Sequence, residues 1–162
     1  MKNITFLRHS KSSWEYDVSD LNRPLNEFGI NKIKKVSNLS RDTFGEVEIL
    51  FSSPANRAIH TCIILANSLE IDLKKIIICN ELYTFDMFEV LDFIKQIDDN
   101  YSNILLVGHN PAYTEISNYF SENKILNLPT ARWFSLKFES DNWSDIIDLK
   151  PISYLNNLKS GV

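Results

Sequence analysis

Phe6-Leu7-Arg8-His9-Ser10 closes an apolar run that starts at Ile4 and stops abruptly at an arginine, a histidine and a small residue. A strand buried in an α/β sheet reads as a short apolar run. Ligands in such sheets sit outside the carboxyl ends of the strands. Arg8 and His9 therefore stand where a reacting group would lie, and the rest of the chain is read for partners that reach the same spot.

Downstream, a polar and irregular stretch, Ser10 to Arg23, holds Trp14 and Tyr16 and ends at Pro24. Loops of that length are uncommon and often functional. Asn26 suits the N-cap of a helix with Ile30, Ile33, Val36 and Leu39 on one face. Val47 to Phe51 reads as a second strand. Ser52-Ser53-Pro54 reads as a helix start, with Arg57 in the first turn and an apolar stripe from Ala58 to Leu69.

Lys75 to Cys79 is a brief third strand, and Met87 to Ile97 a helix with Val90, Leu91, Ile94 and Ile97 inward. Ile104 to Val107 is a central strand ending in Gly108-His109-Asn110-Pro111, and Pro111 to Phe120 a further helix. Alternation at Phe134, Leu136 and Phe138 predicts a half-exposed strand, and Asp145 to Leu149 a last edge strand. Strands alternating with helices imply a three-layer α/β/α sandwich with a mainly parallel sheet.

The chain has 162 residues, 44% of them apolar, and a net charge of −4. That length predicts one domain over 1–162. The composition is that of a soluble globular protein, and the charge argues against nucleic-acid or anionic-membrane binding. No apolar run approaches a membrane span, and the first residues do not read as a signal peptide. Cys62 and Cys79, without paired spacing, read as buried free thiols in a reducing cytoplasm.

If the strands ending near His9, Ser52 and His109 are parallel, two arginines and two histidines converge at one sheet edge. That set suits a phosphoryl group. Arginine offers planar bidentate donors and keeps its charge, and neutral histidine can accept a phosphoryl group covalently. Taken singly, each residue has a plainer reading: a surface histidine, a solvated arginine, a turn. Their joint occurrence at successive strand ends favours the phosphoryl site. His60, one turn into its helix, reads as structural. Trp14, Tyr16 and Tyr113 are candidates for the pocket mouth.

Leu7-Arg8-His9, Ser53-Pro54 with Arg57 and Thr61, and Gly108-His109 together resemble the histidine phosphatase superfamily, whose fold is phosphoglycerate-mutase-like. The longer strings Arg8-His9-Ser10-Lys11-Ser12-Ser13-Trp14, Arg23-Pro24-Leu25 and Val107-Gly108-His109-Asn110-Pro111 resemble its SixA-type phosphohistidine phosphatase branch. The resemblance implies that His9 attacks phosphorus while Arg8, Arg57 and His109 hold the oxygens. Such charge-assisted bonds are worth about 1.5–3 kcal/mol each.

By the same resemblance Glu81 is the positional candidate for a proton donor, set equally against a plain loop carboxylate. Ser10 and Arg23 are candidate substrate contacts. Ser10 stands where glycine or alanine is common, and Asn22 where aspartate often precedes the Arg-Pro-Leu string. The implied reaction is metal- and cofactor-free removal of phosphate from phosphohistidine on a protein, a phosphocarrier protein among the partners it would suit. Hydrolysis of small phosphate esters or of phosphoserine and phosphothreonine, and a non-catalytic phosphate-binding module, remain the alternatives.

Other phosphatase chemistries lack their residues. A cysteine phosphatase needs arginine six positions after the thiolate, but Cys62 and Cys79 lead to Ser68 and Phe85. There is no Asp-x-Asp pair, no Gly-rich Lys-Ser/Thr loop and no His-Glu-x-x-His.

Overall fold

The computed structural model describes residues 1–158. Among these residues six strands form one sheet: β1 (Lys2–Arg8), β2 (Ile49–Ser52), β3 (Ile76–Ile78), β4 (Asn103–Gly108), β5 (Trp133–Phe138) and β6 (Ser153–Asn156). Their spatial order is β3-β2-β4-β1-β5-β6. The first four run parallel, and β5 and β6 are antiparallel additions at one side. The helices are α1 (Glu27–Leu39), a short α2 (Arg41–Phe44), α3 (Asn56–Leu69), α4 (Met87–Ile94) and α5 (Ala112–Phe120).

Successive strand residues face opposite sides of the sheet, and two cores result. Ile4, Phe6, Ile104 and Leu106 pack with Val90, Leu91 and Ile94 of α4 and Ile116 of α5. Leu7, Leu105 and Val107 pack on the other face with Ile33 and Val36 of α1 and Cys62 and Leu65 of α3. The predicted sandwich with a mainly parallel sheet is what the chain forms. Asn26 caps α1 as predicted, its side chain accepting from Gly29 N at 2.7 Å.

Several local expectations give way. The helix after β2 starts at Asn56, and its N-cap, Ala55, makes no side-chain cap bond. Ser53 and Pro54 form instead the turn between strand and helix. α4 ends at Ile94, although Ile97 is still buried. Leu39, at the last position of α1, is exposed.

β5 is buried throughout except at Lys137. The reason is its position between β1 and β6, with Ser135 accepting from Thr5 Oγ1 at 3.0 Å inside the sheet. The expected edge strand at 145–149 is instead the second half of a 3-10 stretch, Trp143–Asp148, with Leu149 as its C-cap, and the edge strand is β6. Trp143 and Ile146, three apart, are both buried, a spacing that suits a helical turn and not a strand. Among the described residues no helix is long and apolar enough to cross a membrane.

Candidate active site

Register assembles the site. Arg8 pairs with Gly108 across β1 and β4, and Ser52 with Val107 across β2 and β4. The residues that follow each strand, His9, Ser53 and His109, therefore come side by side. Backbone bonds continue past the strand ends: His9 N–H donates to Gly108 O at 3.1 Å, and Ser53 N–H to Val107 O at 3.0 Å. The rings of His9 and His109 lie 5.1 Å apart.

Gly108 is required by this packing. A Cβ there would sit 2.5 Å from the hydroxyl of Tyr113, whose ring is fully buried against Phe6. Tyr113 thus lies beneath the site and not at its mouth, contrary to expectation. On the other side Ala131, in the left-handed region at φ 56°, donates its N–H to the carbonyls of Arg8 and His9.

His9 donates Nδ1–H to the carbonyl of Ser10 at 2.7 Å. That fixes the tautomer and leaves the Nε2 lone pair facing the pocket. Arg57, 2% exposed, reaches Nε2 of His9 with its Nε–H at 3.3 Å. Its Nη1 and Nη2 donate to the carbonyl and carboxylate of Asp20 at 2.6 and 3.0 Å. Arg8 donates from Nη1 to Leu128 O at 2.7 Å, while its Nε is buried without a protein partner. His109 places Nε2 2.8 Å from Ser53 Oγ, and Nδ1 3.5 Å from Arg57 Nη2.

Burial keeps both imidazoles neutral and lowers the pKa of each to about 3. The Ser10 carbonyl opposes the shift at His9, and nearby guanidiniums reinforce it at both. Burial also lowers the pKa of Arg8, though an arginine stays charged at neutral pH. The pocket lined by Arg8, His9, Arg23, Arg57 and His109 measures about 280 Å³.

The four residues expected to converge do so, and Arg23 joins them. Its guanidinium bonds Ser12 Oγ and Asp20 Oδ1 and stacks 3.9 Å from the ring of Trp14. Trp14 lines the mouth together with Phe85. Tyr16 does not line the mouth as expected but a separate hollow, shared with Ser13, Leu25 and Phe28.

Ser10 does not line the pocket. Its hydroxyl turns away to donate to Gly29 O at 2.7 Å, and its backbone N–H donates to Thr61 Oγ1. Glu81 sits in a 3-10 turn, Asn80–Leu82, where buried Leu82 anchors the inner side. Glu81 lines a separate hollow with Ile49, Phe51 and Ile77. His60 is half-buried on α3 outside the pocket.

Asp20, Ser53 and Tyr83 are site residues that sequence reading did not single out as such. Asp20 accepts from Arg23, Arg57 and, at 2.6 Å, the Tyr83 hydroxyl. Partial burial pushes the Asp20 carboxyl up, but these three donors outweigh it and hold it well below the usual carboxylate range. An acidic residue three positions before Arg23 was the available signal. Both thiols are free. Burial raises the pKa of Cys62 to about 12 and that of half-buried Cys79 to about 11, so neither offers a thiolate near neutral pH. Among the described residues no group of three His, Cys, Asp or Glu side chains could hold a metal ion.

Neutral Nε2 of His9 amid guanidinium and imidazole donors is an arrangement that can attack an anion's central atom while its oxygens are held. Among solved structures the chain is similar to a protein from Agrobacterium tumefaciens assigned as a phosphohistidine phosphatase SixA. The TM-score is 0.76, with 22% identity over 95% of this chain and 97% of that one. It is also similar to the protein histidine phosphatase SixA complexed with tungstate, at TM-score 0.73 and 20% identity over 86% and 91% of the two chains. An Escherichia coli protein assigned as an alpha-ribazole-5'-P phosphatase gives TM-score 0.67 and 15% identity over 88% and 93%.

At these identities the likeness is one of fold. No curated protein matches the sequence. The profile of the histidine phosphatase superfamily, branch 1, matches residues 4–88. That span, more than half of the chain, takes in Arg8, His9 and Arg57, while the fold brings His109 to them from beyond its end. The chain belongs to the histidine phosphatase superfamily.

Proposed function

We propose that the protein is a phosphatase that works through a phosphoryl group carried on Nε2 of His9, and that its substrate is phosphohistidine on another protein. In the first step Nε2 forms a bond to phosphorus as the bond to the leaving nitrogen breaks. The departing nitrogen keeps the electron pair, and the imidazole leaves neutral where its other nitrogen already carries a proton, or takes one from solvent where it does not. In the second step water attacks phosphorus, the Nε2–P bond breaks, and inorganic phosphate leaves with the water's oxygen. As substrate binds, the Nε–H of Arg57 switches its hydrogen bond from the Nε2 lone pair to a phosphoryl oxygen, which frees the nucleophile. Arg8 and His109 take the remaining oxygens.

The observation that carries the substrate class is the state of Asp20. Among the described residues it is the carboxylate lining the pocket, and its three donors hold it ionised. A phosphate ester with a poor leaving group needs a general acid; a phosphorylated imidazole departs across a weak P–N bond without one. Trp14 and Phe85, both largely exposed at the mouth, offer flat faces to an imidazole ring. The SixA neighbours bear names that agree with this reading. A phosphocarrier protein would be a suitable partner.

A parallel assay on phosphohistidine proteins, phosphoserine peptides and sugar phosphates tests it, with His9→Ala as control. Phosphohistidine turnover that His9→Ala abolishes is expected. Turnover of esters alone would replace this reading with a phosphomonoesterase. No turnover, with tungstate binding retained, would leave a binding module.

A further inference from the structure

His109 can serve a phosphoryl oxygen only if the ring nitrogen facing the pocket carries a hydrogen. Nδ1 faces the pocket, 3.5 Å from Arg57 Nη2, and Nε2 faces Ser53 Oγ at 2.8 Å. Burial keeps this ring neutral, so one nitrogen has the hydrogen and the other a lone pair. Which is which can be settled by counting hydrogen bonds around Ser53.

Ser53 is fully buried. Its oxygen already accepts the backbone N–H of Ala55 at 3.3 Å. Among the described residues no acceptor other than His109 Nε2 is recorded for its hydroxyl hydrogen. Were Nε2 protonated, that hydrogen would be stranded in the interior, and a buried donor without a partner is costly. With a lone pair on Nε2, the Ser53 hydroxyl has its acceptor at the short distance of 2.8 Å, and the one open hydrogen is on Nδ1, which gives up the longer 3.5 Å contact with Arg57 Nη2. The hydrogen of His109 then sits on Nδ1 and faces the Nη2 donor of Arg57 across 3.5 Å, a juxtaposition that an acceptor held between the two donors relieves. Two donors so placed suit an oxyanion.

We propose that Ser53 is a positioning residue: its hydroxyl donates to Nε2 of His109 and so fixes the neutral Nδ1–H tautomer as a ready-made oxyanion donor. Both site histidines are then Nδ1–H tautomers used in opposite senses. His9 spends its hydrogen on the Ser10 carbonyl and presents a lone pair, whereas His109 spends its lone pair on Ser53 and presents a hydrogen. The inference needs only that the pocket takes a tetrahedral oxyanion, the anion-binding part of the function proposed above, and not the identity of the substrate.

Nitrogen NMR of histidine-labelled protein at neutral pH tests it directly, with the His109→Gln spectrum giving the assignment. A pyrrole-type Nδ1 and a pyridine-type Nε2 at His109 are expected, with and without tungstate. A pyrrole-type Nε2 would overturn the proposal. Ser53→Ala should raise the tungstate dissociation constant, measured by calorimetry, about tenfold, the loss of roughly one hydrogen bond, and Ser53→Thr should restore it.

Without the hydroxyl, His109 donates fully only when protonated, so the Ser53→Ala deficit should shrink as pH falls. A deficit constant across pH, with the tautomer unchanged, would make Ser53 a packing residue and sink the idea. Absence of phosphatase activity with the expected tautomer and tungstate binding would overturn the function proposed above and leave this inference standing.

Discussion

The Nε–H of Arg57 points at the Nε2 lone pair of His9 across 3.3 Å, so in the mechanism proposed above the resting nucleophile is masked by the guanidinium that would clamp its substrate. Masking protects a reactive nitrogen until an anion arrives that binds Arg57 better. Arg57→Lys keeps the charge but loses the planar fork. Phosphatase turnover should fall on the order of 10²–10³-fold. His9 should at the same time react faster with diethyl pyrocarbonate, as followed by mass spectrometry of its peptide. Slow turnover with unchanged labelling would show that Arg57 does not mask His9.

Asp20 holds the two arginines of the mouth in place. Its side chain is 46% exposed, and solvent-exposed ion pairs contribute little to stability, under about 1 kcal/mol. Its removal should nevertheless take the carboxylate partner from Arg57 and from Arg23, leaving Arg57, of its bonds to residue 20, only the one to the backbone carbonyl. Asp20→Ala should therefore lower kcat/KM about tenfold or more while thermal stability barely moves. A melting temperature that drops in step with activity would assign Asp20 to the scaffold.

What the sequence made legible was the chemistry at strand ends. Arg8-His9 and Gly108-His109 each interrupt an apolar run, and a buried strand tolerates charge only where it leaves the sheet. Their adjacency depends on β4 inserting between β1 and β2, a pairing no local pattern encodes. Asp20 was missed because its loop has no periodicity and its partner, Arg57, lies on another element. Ser10 was misjudged from its neighbour. Past the strand end its side chain faces α1, where Gly29 takes its hydrogen bond. Tyr113 was legible in principle, since Tyr113 and Ile116 lie one helical turn apart on the inward face of α5.

The neutral histidines set the pH response of the fold. Both titrate near 3 in the folded protein and near 6.5 when unfolded. Between these values the unfolded chain binds more protons. The contribution is thus whole above pH 6.5 and is lost as pH falls toward 3. Asp20, whose carboxyl is lowered from 3.8, acts with the same sign in a lower range: its contribution is lost only as pH falls below that value. Urea unfolding at pH 7.5 and 5 should differ on the order of 2 kcal/mol per histidine. His109→Gln should remove about half the difference. Equal stability at the two pH values would mean that the imidazoles are not held neutral.

Glu81 occupies the chain position expected of a proton donor but lies in a hollow away from the phosphoryl pocket. Leu82 is 1% exposed, and its burial fixes the 3-10 turn so that Glu81 is directed elsewhere. Glu81→Gln should leave kcat within about twofold of wild type, since exposed substitutions away from special features are nearly neutral. The pH profile should be unchanged as well. A loss of the order expected for general acid catalysis, about 10²-fold, would bring Glu81 back into the mechanism.

Gly29 supports the site from outside it. An added Cβ would sit 2.1 Å from the carbonyl oxygen of Lys11 and 2.9 Å from its carbonyl carbon and nitrogen. Backbone meets backbone here, and the Lys11 carbonyl is further pinned by Asn26 N–H at 3.0 Å. The helix must therefore move away from the segment that follows His9. Helix propensity alone would make Gly29→Ala stabilising by up to ~1 kcal/mol, whereas overpacking costs about 1–3 kcal/mol. The clash should win, and it should loosen the Ser10 carbonyl that orients His9. Gly29→Ala is expected to be both less stable and slower, whereas Lys34→Ala on the exposed side of the same helix should change neither. A Gly29→Ala protein as stable and as active as wild type would show that α1 is free to shift without disturbing the nucleophile.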